Sequence, residues 1–78
     1  MIPRALPRLV TDALTNRWRI HLSAHPPCVG AYFTSLEADE VEIQWEDGRY
    51  SYSSINGTPT PYKQCTRLLR TNPEGATS

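Results

Sequence analysis

The sequence predicts a mainly β domain: a small barrel of four to five short antiparallel strands, with one short α-helix at the N-terminus. Three observations carry this prediction. Residues 17–24 alternate strictly between polar and apolar side chains, the period of a half-buried strand. The stretch VEIQWEDGRYSY, residues 41–52, sets an Asp-Gly pair between two segments that match rung for rung, which is the pattern of a tight hairpin. The chain has 78 residues, enough for one domain with one core. Short strands closing on themselves with a helix at one end would fill that core. The expected domain spans residues 1–71, and residues 72–78 read as a disordered tail.

The helix comes first. Ile2, Leu6, Leu9, Val10, Ala13 and Leu14 stand three and four apart, which places them on one helical face. Pro7 suits a first turn, where its missing N–H has no partner to lose. Asn16 is a stop signal. The spacing therefore predicts a helix over residues 7–15, with its apolar stripe laid on the domain's own sheet.

The period then changes. Trp18, Ile20, Leu22 and Ala24 point one way, and Arg17, Arg19, His21 and Ser23 the other. His25-Pro26-Pro27 ends this strand, because proline cannot donate to a ladder. A second strand is expected over residues 29–34, with Val29, Ala31 and Phe33 on one face and Tyr32 on the other. Residues 35–40 form a polar connection. A turn at Asp47-Gly48 then opposes Glu46 to Arg49, Trp45 to Tyr50, Gln44 to Ser51, Ile43 to Tyr52 and Glu42 to Ser53. Apolar meets apolar and polar meets polar at each rung, so Trp45, Tyr50 and Tyr52 are expected inside. Residues 56–61 read as a loop, and residues 64–69 as a last strand.

From residue 29 to residue 69 the chain resembles the SH3-like barrels of the Tudor and KOW type. The residues that carry the resemblance are VGAYF, then the acidic bend EADEVEIQWEDGR, then a polar loop, then CTRLL. The resemblance implies a small barrel and, for the KOW type, nucleic-acid binding.

Charge narrows the function classes. Eight basic and eight acidic residues cancel, which argues against a nucleic-acid coat with a basic excess. The signs are segregated, however. Glu37, Asp39, Glu40, Glu42, Glu46 and Asp47 cluster, with basic residues on both sides. Such a cluster is either a solvated hairpin tip or an acidic patch that docks on a basic partner. No run approaches a membrane span, and a secretory signal is not expected, because Pro3, Arg4, Pro7, Arg8 and Asp12 leave no uninterrupted apolar stretch with a small-residue cleavage site. A cytoplasmic protein with reduced Cys28 and Cys65 is expected.

Other constellations are weak. His21, His25, Cys28 and Cys65 are metal-capable, but the paired-cysteine knuckle of a structural zinc site is missing. A Cys28–Cys65 disulfide would need an oxidising compartment. Cys28 and His25 lack a third orienting group. Glu42 and Glu46 would stand about 13 Å apart along a strand, too far for a carboxylate pair. No cofactor, no metal and no catalysis are expected.

The favoured reading is a non-enzymatic protein-binding module, suited to a small regulator or inhibitor of a host protein such as a phage or mobile element encodes. Its expected contacts are Arg17, Arg19 and Tyr32 on one face and Glu37, Asp39, Glu40 and Glu42 on the acidic bend. The second reading is a nucleic-acid binder using Arg17, Arg19, Tyr62, Arg67 and Arg70 on a sheet face. A homodimer is compatible with either.

Overall fold

The computed structural model describes residues 2–36 and 39–71. The expected tail, residues 72–78, and Glu37 of the acidic bend lie outside the described residues. The elements run α1 (Leu6–Thr15), β1 (Arg19–His25), β2 (Cys28–Thr34), β3 (Glu40–Glu46), β4 (Arg49–Ile55), β5 (Thr58–Pro59) and α2 (Tyr62–Leu69). The architecture is mainly β: five antiparallel strands form one sheet in chain order, β1-β2-β3-β4-β5. β1 and β5 are its two edges and do not pair. The sheet is therefore open, not the closed barrel expected. Both helices pack on one face, α1 against β1 and α2 against β3 and β4. Among the described residues, no helix is long and apolar enough to cross a membrane.

Residues 64–69 correct the sequence reading. They form α2, not a strand. Cys65 and Leu69 are four apart, so both fall on the helix's inner side, where both are fully buried. Lys63, Gln64 and Arg67 face solvent. Pro61 stands at the N-cap, where the absence of its N–H costs nothing.

α1 runs as the spacing predicts, one residue longer at its start. Leu6, Leu9 and Ala13 form its buried stripe. Its end is a Schellman motif. The Trp18 N–H donates to the Ala13 carbonyl at 2.9 Å and the Arg17 N–H to the Leu14 carbonyl at 3.1 Å. Arg17 takes the left-handed position at φ 66° that glycine usually holds. The turn delivers Trp18 into the core, where it is 2 % exposed. Its indole N–H donates to the Thr71 carbonyl just beyond α2, at 3.1 Å. One side chain thus joins the end of α1, the start of β1 and the end of α2. Ala31 and Phe33 from β2, and Val41, Ile43 and Trp45 from β3, complete the core.

Two hairpins turn on residue pairs at positive φ: Asp47-Gly48 at 54° and 77°, and Asn56-Gly57 at 52° and 81°. These are the conformations a type I′ turn requires. The first was expected; the second lies in what read as a plain loop. Pro26-Pro27 makes the turn between β1 and β2, and its peptide bond is cis.

The β3–β4 register is also corrected. Glu46 opposes Arg49 and Trp45 opposes Tyr50, as expected. Beyond that, Gln44 opposes Tyr52, Ile43 opposes Ser53 and Glu42 opposes Ser54. Ser51 is an extra residue in β4, a β-bulge that shifts the pairing by one. Tyr52 therefore leaves the core side, and Ser53 enters it. Ser53 is satisfied there: its Oγ donates to the Thr60 carbonyl at 2.6 Å and accepts from the Tyr50 hydroxyl at 2.7 Å. A buried serine with both roles filled is tolerated. Tyr50 stays half exposed, its ring edge-on to Tyr62 at 5.2 Å.

Trp18 should dominate stability. Trp18→Phe, which loses the bond to Thr71 and part of the ring, is expected to cost about 1–2 kcal/mol. Trp18→Ala should cost about 3–5 kcal/mol, comparable to the whole net stability of so small a domain. Urea titration followed by far-UV circular dichroism measures both; a Trp18→Ala chain as stable as the parent would refute the role.

Candidate functional site

Among the described residues, α1 and α2 lie on one side of the sheet and no second layer covers the other. Strand alternation and the observed register decide what stands there. Each antiparallel rung puts its partners on the same side. Four rows cross the face: Arg19, Thr34 and Glu40; His21, Tyr32, Glu42 and Ser54; Ser23, Gly30, Gln44 and Tyr52; His25, Cys28, Glu46 and Arg49.

Tyr32 and Tyr52 are 41 % and 36 % exposed. Gly30 makes room for the first of them. A Cβ built at Gly30 would lie 3.3 Å from Ser23 Oγ and 3.6 Å from Tyr32 Cε2, so the Tyr32 ring leans over backbone that carries no side chain. Gln44 reaches the same spot and donates its amide to the Glu42 carboxylate. A hollow of about 150 Å³ lies between Ser23, His25, Cys28, Tyr32 and Gln44. A second, of about 210 Å³, lies between Tyr32, Thr34, Glu40, Glu42 and Ser54. Both are smaller than the usual pocket for a drug-sized ligand.

The two surfaces expected from the sequence meet on this face. Arg19 and Tyr32 share it with Glu40 and Glu42, because β2 and β3 pair in register. Arg17 sits at the α1–β1 junction. Asp39 is held within the bend: its N–H donates to Ser35 Oγ at 3.1 Å, and its carboxylate accepts from Asn56 Nδ2 at 3.3 Å. Asn56 also accepts from the Glu40 N–H at 2.8 Å. The acidic bend is thus pinned to the Asn56-Gly57 turn.

The residues of the nucleic-acid reading are divided between two layers. Tyr62 and Arg67 belong to α2, and Arg70 follows it, whereas Arg19 lies across the sheet. Arg70 pairs with Asp12 of α1 at 3.6 Å. The metal-capable residues are divided too. His21, His25 and Cys28 are in the β1–β2 hairpin, and Cys65 is buried under α2. Among the described residues, no three His, Cys, Asp or Glu side chains gather to hold a metal ion. Both thiols are free. Cys28 is exposed and 4.0 Å from a Glu46 carboxylate oxygen.

Sequence reasoning missed Tyr52, Gln44 and Gly30 as parts of this face. Tyr52 was hidden by the bulge. Gly30 opposite Tyr-rich strands was the available signal, since a glycine inside a strand marks close approach of another group. No protein-family model, curated protein or solved structure matches the chain.

On the helix side, burial pushes the Cys65 thiol above its ordinary value of 9.0, partly offset by a hydrogen bond with Ser53. Burial likewise raises Tyr62, with the Arg70 charge pulling the other way. Both groups stay protonated longer in the folded chain than in the unfolded one. The unfolded chain then binds fewer protons as pH rises past the ordinary thiol value, so stability falls. Urea midpoints are expected to decline above about pH 9, with a shallower onset in Cys65→Ala. Maleimide should label Cys28 in the folded protein and Cys65 only after unfolding; equal labelling of both would contradict the burial.

Proposed function

We propose that the chain is a non-enzymatic protein-binding module whose contact surface is the uncovered face of the sheet. One observation carries this reading. Among the described residues, one side of the five-stranded sheet carries no second layer, and that side shows two exposed tyrosines among charged and amide groups. Tyrosine gives large, stiff contact area with a polar tip, and it is enriched at the centres of protein interfaces. Glu40, Glu42 and Arg19 would form the charged rim that fixes orientation and steers encounter. The shallow hollows suit side chains of a partner better than a small substrate. The size and the zero net charge suit a small regulator or inhibitor acting in the cytoplasm, where an exposed Cys28 stays reduced. The SH3-like resemblance contributes the β2–β3–β4 meander and its Asp-Gly hairpin; the binding reading does not need a closed barrel.

The nucleic-acid reading is less supported, because its aromatic and basic residues do not share one surface and Arg70 is already paired. The two differ in salt response. Crosslinked complexes from a native-host extract should lose their protein partner by about tenfold in Tyr32→Ala and in Glu42→Lys, while Lys63→Glu on α2 keeps it. Complexes made of nucleic acid, weakening steeply with salt and with Arg67→Ala, would overturn the proposal, as would capture indifferent to both face variants.

A further inference from the structure

We infer that the outer edge of β1 accepts an extended segment of a partner protein as an added strand, one in which acidic and apolar side chains alternate. This rests on the protein-binding reading and names the partner's chemistry.

The two edges of the sheet differ. β5 is two residues long and contains Pro59, so it offers almost no ladder. β1 is seven residues long, without proline or bulge, and among the described residues pairs only with β2. In an antiparallel pair, alternate residues of each strand turn their N–H and C=O away from the partner. Along β1 those groups form an open row, the template that added strands use. The helices do not cover it. Every β1 residue but Ile20 is exposed, and Leu22, on the helix side, is 57 % exposed. An incoming strand would place apolar residues beside Ile20, Leu22 and Ala24 on that side.

Charge selects the other side of the added strand. β1 contributes Arg19, His21 and His25, while β2 has no charged residue, so the edge of the sheet carries no carboxylate. Arg19 has no ion-pair partner among the described residues. Carboxylates at alternate positions of an added strand would meet Arg19 and the imidazoles. A second copy of the chain would not. Paired antiparallel about Leu22, it would set Arg19 opposite His25 and bring no acid to either. The same basic side chains that discourage self-pairing thus favour an acidic segment.

The test uses the full chain and three synthetic peptides long enough to span β1: glutamate alternating with valine, lysine alternating with valine, and the glutamate peptide with alternate amides N-methylated. Amide chemical shifts and hydrogen exchange report where each binds. The glutamate–valine peptide is expected to bind about tenfold more tightly than the lysine–valine peptide. It should slow exchange at alternate β1 amides and lose binding on N-methylation. Arg19→Glu, at an exposed position, should reverse the charge preference. Equal binding of the two charged peptides, or no protection along β1, would overturn the inference. Shifts confined to Tyr32, Gln44 and Tyr52 would overturn it while leaving the binding face intact. A dimer with β1 already protected in the absence of peptide would assign the edge to a second copy instead.

Discussion

The fold depends on where one indole goes. Trp18 follows a helix end closed by a Schellman turn, and that turn is held by Arg17 in a left-handed conformation. The ring is then buried in the core and fastens Thr71, two residues beyond α2, through its N–H. The helices also share the core through Leu6, Leu9 and Ala13 of α1 and Cys65 and Leu69 of α2, and Asp12 pairs with Arg70 at 3.6 Å. With Arg70 largely in water, such a pair contributes little. Burial around Trp18 therefore keeps α1 and α2 together on one side. Among the described residues the opposite side stays bare: two helices drawn to a common anchor leave none for the far face.

Much of this was legible in the residues. α1 announced itself by spacing, and the first strands by alternation. The Asp47-Gly48 turn was found because few other pairs adopt two positive φ values in succession. Two features were not legible. The bulge at Ser51 has no local signature, and the rungs matched well without it; the register that wins is set by packing under α2, where a serine bonded to Thr60 and Tyr50 replaces the expected ring. The last element was misread because its apolar residues, Cys65, Leu68 and Leu69, are few and lie in a short run. Their spacing of three and four was the better guide, and Pro61 just ahead pointed to a helix start. The proposed contact face was half legible: Arg19, Tyr32, Glu40 and Glu42 were singled out as two separate surfaces, which the register of β2 between β1 and β3 joins into one.

Across that face the charges are separated by strand. The β1 edge carries arginine and imidazole, β2 is uncharged, β3 brings Glu40, Glu42 and Glu46, and β4 adds Arg49 beside Glu46. The chain is neutral overall, but this face is polar along its width. Opposite signs on β1 and β3 stand about two strand spacings apart, roughly 10 Å, close to the screening distance at physiological salt. Under the proposed reading, charge on this surface would act over contact range, to set alignment, while the tyrosines would supply the area.

The additional residue at Ser51 also carries a lesson about chain length. In a pleated ribbon, membership of the inner or outer surface is a matter of odd and even count. By adding one position to β4, the chain hands an aromatic ring from its interior to its surroundings without altering a neighbouring letter. Insertion or loss of a single codon there is thus a route by which a chain of this kind gains or surrenders an exposed ring in one step.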